Sequence, residues 1–297
     1  MGGIDVVRKA KSGLVYATSD RVFDITMYAV VTVFCILIVF PMLYVLSVSL
    51  TPYSEVLKGD FILIPRKITL DGYKTILGTG IPNAFKVTVF ITVVGTLINL
   101  FVTVLLAYPM SKSYLPGKKI LSTIVLIPML FSGGQIPTYM IVKNLGLLNT
   151  IWALILPASI TSYNVILMRT FFKALPEEMF EAARIDGAGE LTCLVKFALP
   201  VSMPMLMTNL MFFAVWHWNT YISSVLYISS ESLKPLQVVL RDIIAGTEQL
   251  TDGVDVNTST ETLKNASVVI CTLPILLIYP FVQKHFTKGM MLGSLKG

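Results

Sequence analysis

Six stretches without a single Lys, Arg, Asp or Glu dominate this chain: 25–50, 87–110, 120–142, 151–168, 203–227 and 266–283. A hydrocarbon core about 30 Å thick is crossed by roughly 20 apolar residues in helical form. Lipid offers no partner to backbone N–H and C=O groups, so such runs satisfy them internally as helices. The expected fold is all-α and polytopic, six transmembrane helices forming one membrane domain over 1–297. Only 13% of residues are charged, against roughly a quarter in soluble domains. A soluble chain of this length would carry far more charge, and the 55% hydrophobic content and three cysteines exclude disordered chains, collagen and disulfide scaffolds. The first run follows Arg8, Lys9, Lys11 and Arg21 like a signal peptide. It is too long for one and five more follow, so it reads as a retained anchor.

The basic residues orient the spans. With the N-terminus inside, the inner segments hold 14 of the 23 Lys and Arg residues. The short 111–119 loop carries Lys112, Lys118 and Lys119 with no acid, where the positive-inside rule is most dependable. Both termini are expected in the cytoplasm. The net charge of +6 therefore reads as a topology signal, with no nucleic-acid partner implied. The outer segments hold nine basic and nine acidic residues, so no electrostatic preference for a substrate is visible.

Prolines recur in or beside the spans: Pro41, Pro109, Pro128, Pro137, Pro157, Pro204, Pro274 and Pro280. Each removes a backbone donor and bends or breaks a helix. The segments between spans are short except for 51–86, 169–202 and the outer loop 229–265.

Residues 171–200 are the most informative segment. Pro176 stands like a first-turn proline, followed by Glu177 and Glu178 where the helix dipole favours negative charge. Met179, Phe180, Ala183 and Gly187 recur at helical spacing, and Glu181 and Arg184 are placed to pair at i and i+3. Gly187 and Gly189 interrupt this helix, and a second run, 190–199, leads to Pro200. The pattern predicts two short helices joined by a glycine turn. An interfacial helix resting on lipid headgroups would also be amphipathic, but Ala182, Ala183, Gly187 and Ala188 are small and suit close approach of another protein.

Glu181-Ala182-Ala183, Asp186-Gly187-Ala188 and Leu199-Pro200 together resemble the EAA signature of permease subunits of bacterial ATP-binding cassette importers. The stretch 146–157, Trp218-Asn219 and the ending 288–297 resemble carbohydrate-uptake permeases, most closely the second permease of maltose-type systems. Phe197-Ala198 departs from the aliphatic pair more usual before Leu-Pro.

The resemblance implies a type I importer permease fold in the bacterial plasma membrane. It implies a second homologous permease completing a heterodimeric pore, two ATPase subunits inside and a solute-binding protein outside. It implies docking of the ATPase at Met179, Phe180, Glu181, Ala182, Ala183, Asp186 and Gly187, with the tail 285–297 as a weaker second contact. ATP and Mg would belong to the partner ATPase. In this chain Gly117-Lys118-Lys119 lacks the first glycine and the hydroxyl of a phosphate loop, so no cofactor and no catalytic activity are expected here.

His217 and His285 share no ligand-spaced neighbours, and Cys35, Cys193 and Cys271 have neither zinc nor disulfide spacing; no metal site is expected. Spans without carboxylates argue against a carrier driven by protons. An ion-coupled sugar carrier acting alone is the alternative function, and a membrane scaffold a third. For a carbohydrate pathway, Trp218 offers a stacking face and Asn219, Asn209 and Tyr163 offer hydrogen bonds. An interfacial aromatic belt accounts equally for the aromatic end of span five.

Overall fold

A computed structural model describes residues 18–58, 61–78, 80–249 and 260–294. Every regular element among the described residues is helical. They are α1 (Thr18–Ser49), α2 (Asp71–Leu77), α3 (Ile81–Ser111), α4 (Lys118–Leu130), α5 (Gln135–Asn144), α6 (Trp152–Ala158, closing on a 3₁₀ turn) and α7 (Ser162–Lys173). There follow α8 (Glu177–Ile185), α9 (Glu190–Val201), α10 (Met203–Trp218), α11 (Ile222–Tyr227), α12 (Leu236–Gln249) and α13 (Thr260–Ser294). A further helical turn, Tyr53–Val56, precedes α2.

Two of these helices alone are long and apolar enough to cross a membrane, within α1 and α3; the number is up to five if each of three bent pairs is one span. The sequence leads one to expect one span at each of 120–142, 151–168 and 203–227, with prolines in each, and all three are interrupted. α4 and α5 meet at 119°. Pro128 removes a backbone donor near the end of α4, and Gly134 takes φ +83 at the junction. α6 and α7 meet at 50° beyond Pro157. α9 and α10 meet at 82° at Ser202, between Pro200 and Pro204. The run 203–227 also breaks after Trp218 and resumes at Ile222. The sixth expected stretch lies inside the 35-residue α13, whose backbone stays helical past Pro274 and Pro280.

The centre of the molecule is α3, packed against α7 and α10. Its buried face carries Thr88, Gly95, Thr96, Asn99 and Thr103. Small and hydroxylic residues are what membrane helices use for close packing. Gly95 meets the requirement most sharply: a Cβ there would stand 2.5 Å from the His217 imidazole of α10. The side chain of Asn99 donates to the Ala158 carbonyl at 2.9 Å. That carbonyl lies at the end of α6, so a side chain from α3 satisfies backbone freed by the break.

α1 packs along α13, and the rest of its surface is apolar and outward: Tyr28, Phe34 and Leu37 are all exposed. So large an uncovered apolar face fits lipid or another subunit.

Candidate functional site

The segment 171–200 folds as a helical hairpin, as its glycines and Pro176 lead one to expect. α8 begins just after Pro176 and ends in a left-handed Gly187, φ +82. Gly187 N–H donates to the Arg184 carbonyl at 3.0 Å and Ala188 N–H to the Ala183 carbonyl at 2.9 Å. This paired closure requires a residue without a Cβ penalty at the left-handed position. α9 follows directly, and its residues Cys193–Ala198 are wound as a π-helix.

α8 has two faces, and the helical spacing that groups Phe180 with the docking residues misplaces it. Phe180 is 1% exposed and Ala183 is 5% exposed. Both face the chain's own core with Tyr108, Phe172 and Leu194, and Met179 packs against its edge. The outward face consists of Glu178, Glu181, Ala182, Ile185, Asp186 and Gly187. Among these, Ile185 escaped the sequence reading. It is 86% exposed at the end of α8, and only that exposure, which sequence does not display, singles it out. A Cβ built on Gly187 meets nothing within 4 Å, so the space over the turn is open.

The Glu181–Arg184 pair does not form. Arg184 reaches inward across the hairpin instead, to Glu190 at 3.2 Å and Glu177 at 3.4 Å. It also donates to the Tyr114 hydroxyl at 2.8 Å, and that hydroxyl donates to Glu190 Oε1 at 2.8 Å. Lys112 lies 3.3 Å above the Phe180 ring and 3.9 Å from Glu177, with its side chain only 5% exposed. Tyr114 and Lys112 come from the 111–119 loop, so these contacts fasten the hairpin to the end of α3. Glu181, by contrast, is exposed and makes no ion pair among the described residues.

The electrostatics follow from the contacts. Burial works against the Glu190 charge, but hydrogen bonds from Tyr114 and Arg184 outweigh it and lower the carboxyl pKa. Burial and the Glu190 carboxylate push the Tyr114 hydroxyl up to about 12. Burial pulls the Lys112 ammonium below its ordinary range, with Glu177 opposing. The folded Glu190 has a lowered pKa, so its stabilisation is complete above the unfolded value, roughly pH 4.3. It is lost as pH falls through the lower folded value. Backbone amides of α8 and α9 are therefore expected to keep their hydrogen-exchange protection down to that range. Arg184→Ala is expected to weaken protection at neutral pH, with loss of about 1 kcal/mol for so exposed a cluster, read by hydrogen exchange over 177–192. Equal protection in the variant would show that the cluster does not hold the hairpin.

The expected pathway residues are dispersed. Tyr163 lines a cavity of about 500 Å³ with Thr138, Asn164, Phe212 and Trp216. The buried Asn164 Oδ1 in that wall has no hydrogen-bond partner among the described residues. Trp218 and Asn219 line a different cavity, of about 550 Å³, with residues of α12 and α13. Asn209 lines neither: it is fully buried and donates to the Met205 carbonyl at 3.0 Å. Residues 250–259 of the outer loop 229–265 lie outside the described residues, as do the last residues of the tail 285–297.

Comparison with known proteins places this geometry. Residues 12–292 match the family described as binding-protein-dependent transport system inner membrane component. The polygalacturonan/rhamnogalacturonan transport system permease protein YtcP of Bacillus subtilis is 40% identical, over 94% of this chain and 99% of that protein. Protein LplC of the same organism is also 40% identical, over the full length of both. The arabinooligosaccharides transport system permease protein AraQ of Halalkalibacterium halodurans is 26% identical, over 87% of this chain and 91% of that protein. In three dimensions the fold matches a chain from the crystal structure of a bacterial ABC transporter involved in the import of the acidic polysaccharide alginate. Its TM-score is 0.84 at 30% identity, covering 91% of this chain and 99% of that one. This chain belongs to the inner membrane component family of binding-protein-dependent transport systems.

Proposed function

We propose that this chain is one permease subunit of an ATP-driven importer of oligosaccharides. It forms half of the pore with a second, homologous permease. A solute-binding protein delivers the sugar outside, and two ATPase subunits, which hold ATP and Mg, dock inside. Six spans with both termini in the cytoplasm, as the charge distribution implies, put the hairpin 171–200 on the ATPase side. The single observation that carries the coupling role is the hairpin's outward face. Glu181, Ala182, Ile185 and Gly187 are exposed there, while the same helix is fixed from behind by Phe180, Lys112 and Arg184. An element braced on one side and left open on the other, with small, acidic and one large apolar side chain exposed, is suited to transmit force from a partner. The carbohydrate assignment draws on the relatives named above.

The test is reconstitution of the permease pair with its ATPase and binding protein in vesicles, supplied with labelled oligosaccharides. Uptake is expected to require ATP and to vanish when the ATPase carries a hydrolysis-dead substitution. Uptake that persists with the dead ATPase would overturn the reading in favour of an ion-coupled carrier.

A further inference from the structure

We propose that the cavity between α10, α12 and α13 is a subsite for an acidic sugar residue, with Arg241 as the partner of its carboxylate. The inference rests on the carbohydrate reading above and narrows its substrate class to uronate-containing oligosaccharides. The cavity, about 550 Å³, is lined by Trp218, Asn219, Tyr221, Gln237, Arg241 and Thr272, with aliphatic residues between them. That size and that mixture of apolar wall and convergent polar groups are typical of small-molecule sites.

Three features point to an anionic sugar. Arg241 makes no ion pair among the described residues, whereas the neighbouring cation Lys234 is held by both Glu231 and Asp242. No carboxylate lies among the residues lining the cavity, so the guanidinium fork is left for a ligand carboxylate. Trp218, only 6% exposed, keeps a buried indole N–H without an acceptor among the described residues. A buried donor without a partner is costly, and a sugar hydroxyl or ring oxygen would supply one. Asn219 uses its amide N–H on the Val215 carbonyl at 2.8 Å, which leaves its carbonyl oxygen to accept from a hydroxyl. An anionic lipid phosphate could meet the same guanidinium, but lipid headgroup sites are built from clusters of cations, and this cavity has one.

The experiment uses the complete importer in nanodiscs and vesicles, with trigalacturonate and its methyl ester as probes at saturating binding protein. Arg241→Gln, an exposed position, is expected to slow trigalacturonate uptake about tenfold, equivalent to about 1.4 kcal/mol. The methyl ester should stay within about twofold of wild type, and Arg241→Lys should recover part of the acid's rate. Equal slowing of both probes, or no slowing of either, would overturn the proposal. It would also fall if the variant differed from wild type only in nanodiscs containing anionic lipid, since the guanidinium would then hold a phosphate. Loss of the second permease from purified Arg241→Gln complexes would assign the residue to a subunit contact, with the same consequence. Wild type that imports neutral oligosaccharides but no uronates sinks this subsite alone; wild type that imports no saccharide sinks the broader reading as well.

Discussion

Phe180→Ala is expected to lower the stability of the permease by about 3–5 kcal/mol, the usual cost of truncating a buried aromatic ring. The ring is 1% exposed and packs edge-on against Tyr108 at 6.4 Å. Lys112 rests 3.3 Å above it. Removing it opens a void in the joint between hairpin and α3 and strips a nearly buried ammonium of its aromatic neighbour. The measurement is the thermal midpoint of the purified complex, with ATPase content scored at low temperature. A marked drop in midpoint with the ATPase still bound is the expected result. An unchanged midpoint would mean that the ring does not brace the hairpin.

Ile185→Lys, five residues along the same helix, is expected to do the opposite. Ile185 touches little of its own chain, being 86% exposed, and a cation suits the last turn of a helix. The permease should therefore melt as wild type does. If the outward face docks the ATPase, burying that charge within the contact removes about 2 kcal/mol or more of docking energy, roughly a 30-fold loss of affinity. ATP-dependent uptake should fall at least as steeply. Normal uptake with the ATPase retained would show that Ile185 lies outside the interface.

The contrast between these two residues marks where sequence stops being readable. Charge-free runs of 18–26 residues announce membrane helices because lipid punishes unpaired backbone and charge alike. The hairpin was legible too, since Pro176 and Gly187 impose local geometry that does not depend on distant contacts. Which face of α8 turns inward was not legible. Phe180, Ala183 and Gly187 share a helical stripe, but the stripe's owner is decided by Tyr108 and Phe172, contributed by α3 and α7. Arg184 likewise had an apparent partner at i−3, and lost it to Glu190 and to Tyr114, 70 residues away in sequence. The breaks within the third, fourth and fifth runs escaped for a related reason. Proline and glycine permit a bend in lipid, and whether it occurs depends on a neighbour such as Asn99, which donates to the freed Ala158 carbonyl. The pathway residues were chosen by type, and the fold sends Tyr163 and Trp218 into separate cavities.

The corner at Ser202 gives the hairpin mechanical leverage. α9 and α10 meet at 82°, yet the chain stays hydrogen-bonded through the turn. Ser202 N–H donates to Ala198 at 3.0 Å and its carbonyl accepts from Leu206 at 2.9 Å. Cys193, Ala198 and Ser202 are wholly buried, so the corner is clamped as well as bonded. A right-angled bar of this kind cannot swing one arm without swinging the other. The 16 residues of α10 make an arm of about 24 Å, and a tilt of about 10° imposed on α9 would carry its far end about 4 Å. That end bears His217 and Trp218, which flank α3 and the sugar-sized cavity. If the hairpin docks an ATPase as proposed, a small rocking of α9 would be carried to the far end of α10 as a displacement of about 4 Å.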